Sequence, residues 1–229
     1  MTQSSTLEAF RLADSFLPIG TYSISYGLEQ FVNEDRITEA DDLQPLLETY
    51  LRHQLGPADL VALRAAHEAA CDADLDRICA VDRRLTAVTL AAELRTSAQQ
   101  SGERLLSLQR DLRDEPLLDR FDDQIASGSA DGNHAVVLGV TTALAGIEQR
   151  TACLLCCHGF VTGLLGAAQR LLSVGHTDAQ QILADLQETI ADVVADSADR
   201  STDDMTPFAP SIDIASADHE RADRRLFAS

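Results

Sequence analysis

Lysine is absent from the 229 residues, so every one of the 18 basic side chains is arginine. A GxxxxGK[ST] phosphate loop needs a lysine, and nucleotide hydrolysis by that route is excluded. No GxSxG elbow occurs either: Gly20-Thr21-Tyr22-Ser23 carries a serine without the glycine that must follow it. HExxH spacing and inward Glu-x-x-His pairs are missing as well, which removes metalloprotease and di-iron bundle chemistry. Tryptophan is absent, and seven Phe and three Tyr leave Leu, Ala, Val and Ile to build the core. The five cysteines are odd in number and irregularly spaced, and Met1 to Leu12 lacks the basic-then-apolar pattern of a signal peptide. These features predict free thiols in a reducing, cytoplasmic setting.

What the chain has in excess is acid. Against 18 arginines stand 37 Asp and Glu, for a net charge of -19, a field that repels nucleic acid and anionic membranes. The acids are spread along the whole chain, as on a halophilic surface adapted to molar salt, where a short Debye length removes self-repulsion. An acidic partner-binding face is the alternative. Hydrophobic residues make up 45% of the chain, which argues for a folded core rather than a disordered acidic polymer.

The apolar spacing predicts an all-α fold, a single multi-helix bundle-like domain over residues 1–198 with a flexible C-terminal tail over 199–229. A short first helix ends at Pro18-Ile19-Gly20, and a second begins near Tyr22 to Ser25 and carries Leu28, Phe31 and Val32. Thr38 caps a third, which Gly56-Pro57 separates from a fourth. Further helices follow around Leu75–Val88, Leu90–Leu112 and His134–Ala145, and one amphipathic helix spans Asp178–Ala198. Thr151 to Ala168 carries no Asp, Glu or Arg and is bracketed by Arg150 and Arg170. It reads as a buried central helix, with a membrane span as the competing reading.

Residues 199–210 have the charge and proline content of a linker, and 212–227 suggest one more short helix. Ending in Arg224-Arg225-Leu226-Phe227, this tail is either a docking peptide or a helix packed on its own domain. The other cluster of chemical interest is Cys153, Cys156, Cys157 and His158. Two of these thiols share a helical face, so a stand-alone soft-metal protein is one reading and ordinary buried cysteine the other.

Four segments, in order along the chain, together resemble the urease accessory protein F family (UreF). The first is Pro18-Ile19-Gly20-Thr21-Tyr22-Ser23-Ile24-Ser25-Tyr26-Gly27-Leu28-Glu29, departing from the family pattern at Thr21 and Ile24. The second is Glu93-Leu94-Arg95-Thr96-Ser97 followed by Ser101-Gly102-Glu103-Arg104-Leu105-Leu106. The third runs from His134 to Ala167-Ala168-Gln169-Arg170-Leu171 and Gly175-His176-Thr177-Asp178, with Ser173-Val174-Gly175-His176 where the family reads Pro-Leu-Gly-Gln. The last is Asp213-Ile214-Ala215-Ser216 with His219-Glu220-Arg221 and Arg225-Leu226-Phe227-Ala228-Ser229.

The resemblance implies a non-enzymatic scaffold that dimerises, binds a UreD/UreH-type accessory protein through its tail and adjoining helices, and recruits a UreG-type GTPase whose hydrolysis it modulates. The complex of that family delivers nickel to apo-urease, so nickel is handled by the complex and no cofactor is bound stably by this chain. Tyr22, Tyr26, Glu29, Arg170, His219, Glu220, Arg225, Leu226 and Phe227 are the positions it marks as partner contacts. If residues 22–29 are helical, i,i+4 and i,i+3 spacing puts Tyr22, Tyr26 and Glu29 on one face.

Overall fold

A computed structural model describes residues 2–222 and 225–227, and residue 22 by its backbone alone. The described residues are largely helical and contain no strand, so the fold is all-α. The helices are α1 (Gln3–Leu12), α2 (Leu28–Asn33), α3 (Leu43–Tyr50), α4 (Leu60–Cys71), α5 (Leu75–Val88), α6 (Ala92–Leu112), α7 (Pro116–Ala126), α8 (His134–Leu144), α9 (Gln149–Leu171), α10 (His176–Asp185), α11 (Gln187–Asp196) and α12 (Pro210–Glu220).

The centre of the molecule is α8 packed along α4. Every residue from Ala135 to Thr142 is buried, as expected of a helix that is apolar all round. Gly139 makes the approach close, because a Cβ there would overlap the Leu63 carbonyl of α4. The loop leading into α8 is held by one buried carboxylate. Asp82 of α5 accepts from the backbone N–H groups of Asp131, Gly132 and Asn133 at 2.6, 2.8 and 2.9 Å, and from Asn133 Nδ2 at 2.8 Å. Burial pushes the Asp82 carboxyl up, against the pull of these donors.

α9 is buried along one face, by Ala152, Cys153, Cys156, Cys157, Val161, Leu164 and Leu165, while Gly159 on another face is exposed. It is long and apolar enough to cross a membrane, and half of its most apolar stretch is buried inside the protein. The central helix is therefore α8, enclosed from Ala135 to Thr142, with α9 beside it.

Gly56-Pro57 does not separate two helices. α3 runs into α4 through a π-helical stretch, Leu51–Asp59, with Pro57 inside it. Proline lacks an N–H and crowds the carbonyl four residues back, so an α-helical path would leave the His53 carbonyl without its donor. That carbonyl instead accepts the Phe208 N–H, 2.9 Å away, from the segment leading into α12. At Thr38 the capping works in reverse of expectation. The Asp42 carboxylate accepts from the Thr38 and Glu39 N–H groups at 2.8 and 3.2 Å, ahead of α3. The single helix expected over 178–198 is two helices, α10 and α11, broken at Leu186.

Residues beyond 198 join the same core. Met205, Ala209, Ile212, Ala215 and Phe227 are all buried in it, and α12 lies against α2 and α6. The packed alternative for this segment is the one that the described residues adopt.

Candidate partner-docking face

Residues 22–29 do not form one helix. A 3₁₀ turn over Thr21–Ser23 is followed by two residues with positive φ, Tyr26 at 52° and Gly27 at 82°, before α2 begins. The common face expected for Tyr22, Tyr26 and Glu29 therefore does not exist, and the Tyr22 side chain lies outside the described residues. Gly27 is required twice over: its φ is left-handed, and a Cβ would stand 3.1 Å from Ser216 Oγ and 3.3 Å from the Ser216 N of α12.

This kink aims Glu29 at the end of α12, where the structure builds a buried ionic cluster. His219 is 0% exposed. Its Nδ1 lies 2.8 and 3.0 Å from the two carboxylate oxygens of Glu93, and its Nε2 lies 3.0 Å from Glu29 Oε2. Both ring nitrogens face carboxylate oxygens, and the imidazolium is the form of the ring that can donate to both at once. The Glu93 hydrogen bond, helped by Glu29 and opposed by burial, raises the His219 pKa above its ordinary value.

Helix ends reinforce the arrangement. Glu29 and Glu93 sit in the first turns of α2 and α6, and His219 in the last turn of α12, each where the helix dipole favours its charge.

The same cluster fastens residues 226 and 227. Glu29 Oε1 accepts the Leu226 N–H at 2.8 Å and Glu29 Oε2 accepts the Phe227 N–H at 3.0 Å. Burial would raise the Glu29 carboxyl, but these donors and the imidazolium outweigh it and hold the carboxyl below its usual range. Arg225 adds an ion pair to Glu93 at 3.5 Å. Two cations and two carboxylates thus balance, with His219, Glu29 and Glu93 buried and Arg225 41% exposed at the rim. Phe227 is buried under the Arg170 guanidinium, which lies 4.4 Å from the ring centroid. Leu226 and Ile214 stay on the outside, 67% and 60% exposed.

Of the positions singled out from the sequence, Glu29, Arg170, His219, Arg225, Leu226 and Phe227 come together here. Tyr26 packs instead on Phe160, at 4.8 Å between ring centroids, and its carbonyl accepts the Tyr50 hydroxyl. Glu220, the last residue of α12, is exposed. Arg224, Ala228 and Ser229 lie outside the described residues. Glu93 was missed as a site residue although its motif was noted. The signal available was an acid set among Ala91, Ala92 and Leu94 at a helix start.

The chain resembles known proteins over nearly all of its length. A family model described as UreF matches residues 37–187. The chain belongs to the UreF family of urease accessory proteins. It is 33% identical over 226 residues to the urease accessory protein UreF of Trichodesmium erythraeum, covering 99% of this chain and 97% of that one. To the UreF of Bacillus sp. (strain TB-90) it is 30% identical over 223 residues, covering 97% and 98%, and to UreF 1 of Brucella melitensis 31% over 221 residues, covering 96% and 91%. The UreF relatives are named as accessory proteins, in line with the expectation of a non-enzymatic chain. The family model stops short of Glu29 and His219 at both ends, whereas the alignments with these relatives extend over almost the whole chain.

The alternative site on α9 has a different character. Burial pushes the Cys153 thiol up to about 11 and raises Cys156 and Cys157 as well, so in the metal-free chain these sulfurs are buried thiols at neutral pH. Among the described residues no group of three or more His, Cys, Asp or Glu is placed to hold a metal ion. Cys156 and His158 instead line a cavity of about 500 Å³ between α9 and its neighbours, together with Tyr26, Tyr50, Asp59, His134 and Arg170. Burial moves Asp59 up to about 7 and His134 down to about 4, so the imidazole is neutral and the carboxyl half-protonated near pH 7.

Proposed function

We propose that this UreF-family chain is a non-enzymatic scaffold in urease maturation. Its C-terminal face binds a UreD/UreH-type accessory protein, and the assembly recruits a UreG-type GTPase and modulates its hydrolysis while nickel passes to apo-urease. The chain works as a homodimer in the cytoplasm, and nickel is cargo of the complex rather than a resident ion. The observation that carries the docking role is the junction of α2, α6 and α12. There six of the positions marked by the family resemblance converge, and the apolar side chains of Leu226 and Ile214 remain uncovered. Exposed apolar residues held by a rigid charged base are the anatomy of a protein contact.

The test is co-purification in molar salt with a D/H-type partner, comparing the native chain with Leu226→Asp. Neither the described hydrogen bonds nor the core uses the Leu226 side chain, so the variant should fold normally and bind at least about tenfold more weakly, as loss of an interface anchor does. Unchanged binding by a folded Leu226→Asp chain contradicts the reading.

A further inference from the structure

The Glu29–His219–Glu93 cluster has more electrostatic content than a structural tie needs. The carboxylate that grips one ring nitrogen is also the acceptor for the backbone amides of Leu226 and Phe227. Whatever loosens Glu29 from the ring therefore loosens the terminus too. We propose that this cluster is a proton-operated latch: the protonated ring holds residues 225–227 in the shape against which the accessory partner docks, and loss of the ring proton frees them. The proposal rests on the docking role given above and adds its regulation.

The charges that bear on the ring come from each element packed around it. Glu29 faces it from α2 and Glu93 from α6, and Arg225 of the terminus reaches Glu93. On its own helix, Asp218 pairs outward with Arg221 at 3.7 Å. From α9, Arg170 covers Phe227. With the ring neutral, one nitrogen presents a lone pair to a carboxylate oxygen, and Glu29 and Glu93 are left buried with Arg225 as their remaining cation. Glu29 is then better accommodated by turning to water, and both amide hydrogen bonds go with it.

The sign follows from the ring's preference for its proton. The latch is closed below about pH 6.5, the unfolded-state value, and opens as pH rises through the higher value that the ring has in the folded chain.

The experiment measures hydrogen-exchange protection of the Leu226 and Phe227 amides in the full chain, corrected for intrinsic exchange, between about pH 6 and 9, with affinity for a purified D/H-type accessory protein in the same buffers. Protection should fall by roughly tenfold or more across the range, affinity should fall with it, and His219→Gln should abolish the dependence. Should His219→Gln fail to fold, Glu93→Gln serves, and its transition should move to lower pH because the ring has lost an anionic partner. Flat protection in the native chain, the same slope in His219→Gln, or an unmoved transition in Glu93→Gln overturns the latch. Flat protection with normal partner affinity refutes the latch and leaves the docking role standing. Falling protection with constant affinity refutes the coupling of the tie to docking, and with it the latch, while Leu226→Asp tests the docking role separately.

Discussion

At the scale of single residues, buried charge decides most of what can be tested. Removing one member of a buried, paired cluster leaves its partners uncompensated, which costs about 3 kcal/mol or more. Glu93→Gln should therefore lower the urea midpoint substantially at pH 6, where the His219 ring is charged. Unfolding curves of native and variant chains at that pH check it. Asp59 makes the opposite prediction. Its folded pKa, about 7, lies above the ordinary carboxylate value, so its unfavourable contribution is absent at low pH and grows as pH rises through 7. Asp59→Asn should thus stabilise the chain at pH 8, by about 2–4 °C if it relieves 1 kcal/mol, and hardly at all at pH 4. His134, held down to about 4, contributes stability above pH 6.5 that is lost as pH falls toward 4.

At the scale of elements, the passage from α3 to α4 is the informative one. Gly56 lies inside the π-helical stretch, and a Cβ there would stand 2.7 Å from Val193 Cγ1 of α11 and 3.0 Å from the Leu51 carbonyl. Gly56→Ala should overpack this contact and destabilise by about 1–3 kcal/mol, read from chemical denaturation. Apolar spacing and turn residues made most of the helices legible, including α5, α6, α8 and α9 with bounds close to those observed, whereas α7 was not among those expected. Local spacing misled where a distant segment supplied the missing bond. Gly56-Pro57 reads as a break because Pro57 orphans a carbonyl, and the Phe208 N–H that satisfies it comes from more than 150 residues away. The turn at Tyr26-Gly27 likewise replaces a helical start because α12 packs against the glycine.

At the scale of the whole molecule, net charge governs the response to salt. With 37 acids against 18 arginines, self-repulsion weakens the native state at low ionic strength and is screened at high. The thermal midpoint should climb steeply between dilute buffer and molar potassium chloride, and calorimetry over that range checks it. A flat or falling midpoint contradicts a halophilic surface. Because Ile212, Ala215 and His219 are buried, removal of residues 212–229 would open the α2–α6 junction as well as remove the terminus. Point substitution at Leu226 separates docking from folding where truncation does not.

Composition, periodicity and motif order by themselves determined the helical class, the acidic character, the absence of a phosphate loop and the family resemblance, because each depends on residue type or on spacing along one helix. They also marked most residues of the proposed docking face, as separate motifs near opposite ends of the chain. That Glu29, Glu93 and His219 form one buried ionic cluster was decided only by tertiary structure. Its members are 64 and 126 residues apart in sequence order. Nothing local distinguishes a glutamate that will meet water from one that will meet an imidazolium. The difference is made by the close approach of α12 to Gly27, which shuts water out and leaves each charge only the others to pair with.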